Sequence, residues 1–95
     1  MKPAEVLRQK IEQRKAVVGV MGLGYVGLPL VREFCTAGVR VIGFDVDQRK
    51  VRMLKAGQTY IEHLPGAYFK GLIQQRRFRP TENMDELARP DVILI

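Results

Sequence analysis

The sequence predicts a doubly wound α/β sheet of parallel strands. Three observations carry this reading. Short β-rich runs alternate with segments of helical period, in the order strand, helix, strand, helix, strand, helix, strand. A cluster of glycines sits at the first strand-to-helix junction, and an acid closes the second β-rich run. Right-handed crossovers between parallel strands then give the strand order 3-2-1-4, with helices on both faces.

Taken in chain order, Val6, Leu7 and Ile11 recur at helical spacing and predict a lead-in helix over residues 1–15. The valine-rich run Ala16–Met21 reads as a buried parallel strand. Leu30, Val31, Phe34 and Cys35 mark one face of a helix, with Pro29 in its first turn and Gly38 as its C-terminal cap. Val39–Phe44 is the second strand. Val51 and Leu54 face the core from the next helix, which Gly57 ends. A loop through Pro65 and Gly66 leads to a helix over 67–75, then a short strand over Phe78–Thr81. "ENMDELARP" reads as a short helix stopped by Pro90, and "DVILI" as a fourth strand inside which the chain ends.

The 95 residues suffice for one small domain, and a hydrophobic content of 46% places the chain among globular proteins. The net charge is +6, and the positives are scattered along the chain, with one loose group at Lys2–Lys15 and another at Lys70–Arg79. Neither is interleaved with stacking aromatics, so nucleic acid is not expected as a partner. The uncharged run Ala16–Val31 falls short of the roughly 18–20 residues a membrane span needs, and it contains Pro29 and four glycines. No membrane partner is expected. The first fifteen residues alternate charge with apolar side chains, unlike a signal peptide. A single cysteine, Cys35, builds no disulfide or zinc site within the chain and fits a reducing, cytoplasmic setting. No metal site is expected.

Gly22, Gly24 and Gly27 form G-x-G-x-x-G between a strand and a helix, the context that gives this spacing its meaning. The first permits the sharp turn, the second lets a pyrophosphate approach the backbone, and the third lets the helix pack closely. The helix start aims free N–H groups and a positive dipole end at the anion. Asp45, 18 residues past Gly27, ends the second strand, where a carboxylate can accept from both adenosine ribose hydroxyls. It would repel a 2′-phosphate, so NAD is expected rather than NADP. Arg49 and Lys50 are bases close enough to accommodate such a phosphate. Asp47 is the competing acid and reads as a helix cap.

At "GLGYVGLPL", "VIGFDVDQRKV" and "LKAGQTYIEHLP" the chain resembles the amino-terminal region of the UDP-glucose/GDP-mannose dehydrogenase family, nearest to its UDP-N-acetylhexosamine branch. The resemblance implies a Rossmann-like domain truncated after the fourth strand: a partial NAD(P)-binding domain over 1–95, with its dinucleotide-binding core at 16–95. It implies oxidation of a UDP-sugar C6 alcohol to a uronic acid with NAD, for surface polysaccharides. By the same resemblance Gly22, Gly24, Tyr25, Val26 and Gly27 form the pyrophosphate loop, Asp45 is the ribose acid, and Lys50 also reaches the ribose. A homo-oligomer is expected. The family's catalytic cysteine, catalytic lysine and sugar-binding domain are expected beyond residue 95, so no catalytic residue is assigned here and the 95-residue chain alone is expected to be inactive.

Cys35 does not match that nucleophile and reads as structural, since an apolar site raises a thiol pKa. His63 and Glu62 read as loop residues, with Glu62 the nearer to a substrate role. Arg76, Arg77 and Arg79 read as a solvated face, and Asp85 and Glu86 as charges on the first turn of a short helix. Two alternatives stay open: a β-hydroxyacid-type dehydrogenase, which shares the Gly-Leu-Gly start, and a non-catalytic dinucleotide-binding module.

Overall fold

The computed structural model describes residues 16–95, so the helix read at 1–15 lies outside the described residues. Four parallel strands form one sheet in the order β3-β2-β1-β4: β1 (Val17–Met21), β2 (Arg40–Phe44), β3 (Phe78–Thr81) and β4 (Val92–Leu94). This is the predicted Rossmann-like topology. The helices are α1 (Gly27–Thr36), α2 (Gln48–Lys55) and α3 (Gly66–Gln74). The segment expected to be a short helix after β3 is a 3-10 helix, Met84–Ala88, capped by the Asn83 carboxamide on the Asp85 N–H at 3.0 Å. Five residues close fewer i→i+4 bonds than an α-helix needs to propagate, so the tighter i→i+3 form wins.

Period-2 alternation sorts the strand residues onto two faces. Val18 pairs with Val41, and Val41 with Phe78, so these three share a face. That face is closed by Leu28, Val31 and Cys35 of α1, Leu54 of α2, and Phe69 and Leu72 of α3, in one core cluster. The Phe69 and Phe78 rings meet edge-on with centroids 6.0 Å apart. Right-handed crossovers from β1 to β2 to β3 put all three helices on this side, and the return to β4 runs over the other. Gly19, whose Cα faces that other side, lies so near Pro90 that a Cβ would stand 2.9 Å from its Cγ.

Candidate dinucleotide-binding site

Order reverses beside β1, between β2 and β4, and in open α/β sheets the crevice at the carboxyl ends of the strands there is the ligand position. The glycine turn leaves β1 at that point. Gly22 has φ 90°, a conformation costly for other residues, and its N–H donates to the Phe44 carbonyl at 2.7 Å, tying the turn to the end of β2. At Gly27 a Cβ would stand 1.6 Å from the Gly22 carbonyl oxygen and 3.4 Å from Val20 Cγ1. The close approach that the sequence assigned to helix and sheet is therefore tightest against the turn's own backbone, with β1 next.

Leu23 is the pivot of the turn. Its side chain is fully buried, its N–H donates to Asp45 Oδ2 at 2.9 Å, and its carbonyl accepts from the Tyr60 hydroxyl. Past it the carbonyls of Gly24 and Val26 accept from the N–H groups of Leu28 and Leu30. Among the described residues the N–H groups of Gly24, Tyr25, Val26 and Gly27 have no acceptor. Val26 at the N-cap contributes no side-chain bond, and the first turn of α1 carries no acid. Unpaired donors at the positive end of a helix dipole suit an anion. The space in front of Gly24 is open as well: the nearest atom to a Cβ there would be Lys50 Nζ at 3.9 Å.

Asp45 is buried at the end of β2. Its N–H donates to Thr81 O at 3.1 Å, Oδ2 accepts from Leu23, and Oδ1 accepts from the Asp47 N–H at 2.9 Å. Lys50 Nζ stands 3.9 Å from Oδ2 and 5.5 Å from the centre of the Tyr60 ring. A carboxylate has about four lone-pair sites, so capacity remains for hydroxyl donors in the cleft. Asp47 caps α2, accepting from the Arg49 N–H at 3.0 Å, and hydrogen bonds from Arg49 hold its carboxyl below the usual range. All seven residues singled out in the sequence — Gly22, Gly24, Tyr25, Val26, Gly27, Asp45 and Lys50 — line one open cleft of about 560 Å³.

The sequence profile of the NAD binding domain of the UDP-glucose/GDP-mannose dehydrogenase family matches residues 16–95. The chain belongs to this family. Residues 16–95 are its NAD-binding domain, and NAD is the cofactor. The chain is 35% identical over 69 residues to the UDP-N-acetyl-D-mannosamine dehydrogenase of Methanococcus maripaludis, covering 70% of this chain and 16% of that one. It is 27% identical over 79 residues to the enzyme of the same name from Pyrococcus horikoshii, covering 82% and 19%. Among solved structures it is similar to a UDP-glucose dehydrogenase from Pyrobaculum islandicum, with a TM-score of 0.71, 32% identity and coverage of 82% and 18%. It is also similar to the UDP-N-acetyl-mannosamine dehydrogenase of Staphylococcus aureus, with a TM-score of 0.64, 29% identity and coverage of 72% and 17%. The chain spans less than a fifth of the length of these relatives.

Within this NAD-binding domain one reading needs correction, that of Arg77, and one residue, Tyr60, adds to the site. Tyr60 was not singled out, although it lies in a segment that carries the resemblance; its bond to Leu23 crosses 37 residues and no local pattern marks it. Arg76 and Arg79 are exposed, as a solvated face requires, with Arg79 binding Glu86 at 2.7 Å, whereas Arg77 is half-buried and donates to the Cys35 carbonyl. Asp85 and Glu86 lie in the first turn of the short 3-10 helix, as expected, and Glu86 is buried there with Arg89 at 3.1 Å on the same oxygen. These arginines border a larger cleft of about 670 Å³ along β3, away from the glycine turn and its free donors. Glu62 and His63 are exposed and do not line the glycine-turn cleft. Cys35 is fully buried, and burial pushes its thiol up to about 11, the structural role expected of it. Among the described residues no helix is long and apolar enough to cross a membrane.

Proposed function

We propose that this domain holds NAD in the glycine-turn cleft, for an intact protein that oxidises the C6 alcohol of a UDP-sugar to a uronic acid. Gly22, Gly24, Tyr25, Val26 and Gly27 receive the pyrophosphate, Asp45 takes the adenosine ribose hydroxyls, and Lys50 flanks that ribose. The observation that carries the assignment is the meeting, in one cleft, of four unpaired backbone donors with a carboxylate that has spare acceptor capacity. Bound NAD supplies the hydride acceptor for the sugar carbon; the residues here bind and orient it. Cys35 takes no part, since a buried thiol with a raised pKa is not a nucleophile.

The substrate class proposed is a UDP-N-acetylhexosamine, supported by the names of the Methanococcus and Pyrococcus relatives. The catalytic and sugar-binding domains are proposed to lie outside residues 1–95. A cytoplasmic homo-oligomer supplying precursors for polysaccharide is part of the same proposal, the free thiol of Cys35 supporting the reducing compartment.

Paired dissociation constants for NAD and NADP test the site. Asp45→Ala in the intact protein should weaken NAD about tenfold or more, the worth of a charge-assisted hydrogen bond. NADP should weaken less or improve. An unchanged NAD-to-NADP ratio would mean that Asp45 is not the ribose ligand, and Asp47 would be next. Turnover of UDP-N-acetylhexosamine against UDP-glucose with NAD tests the substrate class; a preference for UDP-glucose would overturn it.

A further inference from the structure

Tyr60 reaches the glycine turn from the loop between α2 and α3, and no role is assigned to it by the family match. Three of its surroundings matter. Its hydroxyl donates to the Leu23 carbonyl, its ring face carries the Lys50 ammonium at 5.5 Å, and Lys50 lies 3.9 Å from Asp45 Oδ2. The next residue, Ile61, is buried in the core, as is Leu64, and the Thr59 hydroxyl donates to the Leu64 carbonyl at 2.5 Å. The tyrosine is thus delivered by a loop that is itself anchored.

The Leu23 carbonyl and the Gly24 N–H belong to one planar trans peptide, so they point in opposite directions. Whatever holds the carbonyl also aims the N–H. Gly24 lacks a side chain and its φ is unrestrained by a Cβ, so this peptide plane would rotate readily if nothing held it. The preceding peptide is held already, by the Leu23 N–H on Asp45. Gly24 N–H has no acceptor among the described residues, as a donor reserved for a ligand would not.

We propose that Tyr60 is a positioning residue for the cofactor, its hydroxyl locking the Leu23–Gly24 peptide so that the Gly24 N–H faces the pyrophosphate before NAD arrives. This inference rests on the NAD site proposed above. Pre-organisation of this kind raises affinity because the turn does not have to be ordered on binding. Burial, together with the Asp45 and Asp47 carboxylates, pushes the Tyr60 phenol well above its ordinary value. The hydroxyl therefore remains a donor throughout the physiological range.

The test is Tyr60→Phe in the intact protein, which keeps the ring and its contact with Lys50. Titration calorimetry with NAD, ADP and adenosine separates positioning from general loosening. NAD and ADP carry the pyrophosphate and should each weaken about three- to tenfold, the range for one hydrogen bond. Adenosine, which lacks it, should be unchanged. If all three ligands weaken together, or if none does, Tyr60 does not position the pyrophosphate. Asp45→Ala is measured beside it: if that variant leaves both NAD and adenosine unaffected, the site itself is misplaced and the role of Tyr60 falls with it. The wild-type protein offers a check independent of any variant. Its Gly24 amide should give one narrow NMR resonance without cofactor and should shift with NAD and ADP but not with adenosine. An exchange-broadened Gly24 amide in the cofactor-free protein would overturn the proposal.

Discussion

Two glycines three residues apart in the same turn face opposite physical demands. A Cβ at Gly27 collides with the Gly22 carbonyl at 1.6 Å, backbone against backbone, whereas at Gly24 the first neighbour is a lysine tip 3.9 Å away. Gly27→Ala is therefore expected to destabilise by about 2 kcal/mol or more, at or above the upper part of the overpacking range. Gly24→Ala should melt near wild type yet bind NAD more weakly, because its methyl occupies the approach to the phosphates. Thermal melts paired with NAD titrations decide this; equal stability losses at both positions would remove the distinction. Asp45 combines the two demands. It holds the buried Leu23 N–H, so Asp45→Ala should also cost about 1–3 kcal/mol of stability, the penalty for an orphaned buried donor. Denaturant melts compared with those of Asp45→Asn, which retains an acceptor, measure it.

At the scale of elements, the helix ends differ in how they are finished. α1 and α2 are followed by glycines in the left-handed region, Gly38 at φ 88° and Gly57 at φ 78°, whereas α3 is followed by Arg76 at φ 59°. An arginine there bears a backbone cost of about 1–2 kcal/mol, partly offset by the greater entropy that a glycine loses on folding. Arg76→Gly should raise stability by about 0.5–1 kcal/mol, and a melt that falls instead would show that the arginine side chain contributes more than its backbone costs. The 3-10 helix has a different anchor. A hydrogen bond from Thr81, with Arg79 and Arg89, holds the Glu86 carboxyl below its ordinary range. A pKa depressed by folding means that the unfolded chain binds the proton more readily. The stabilisation is complete above about pH 4.3, the ordinary glutamate value, and is lost as pH falls further toward the folded-state pKa. Glu86→Gln should flatten that acid limb of the stability curve; an unaltered limb would assign it to other carboxylates.

For the whole molecule, the core on one side of the sheet joins all three helices to β1, β2 and β3, and Cys35 is part of it. With no exposure and a thiol near 11, Cys35 should resist a disulfide reagent at pH 8 in the folded state and react at once in denaturant. Reaction without unfolding would contradict the packing. On the proposed site NAD binds only the folded turn, so it should also stabilise the molecule as a whole. At a hundred times its dissociation constant the gain is about 2.7 kcal/mol. NADP at the same concentration should shift the melt less, and an equal shift would argue against Asp45 as a selective group.

The order of strands, the place of the glycine turn and the acid at the end of β2 were all legible in the sequence. Each depends on a local signal: hydrophobic period, glycine spacing, or the few right-handed ways of joining parallel strands. Asp47 was legible as a cap for the same reason, since it bonds to a residue only two positions away. The tertiary structure alone decided which side chains hold the turn. Tyr60 meets Leu23 across 37 residues, and Arg77 meets Cys35 across 42. Neither contact has a periodic or compositional mark, because it exists only after the crossovers have laid α1, α3 and the loop before α3 against the sheet. Burial has the same origin: Glu86 is legible as a first-turn charge of a short helix, but its burial and its bond to Arg79 exist only once β3 lies beside it. Sequence sets the local conformations and the pattern of faces. Which distant groups share a cleft, and which polar groups lose water, follows from how the layers pack.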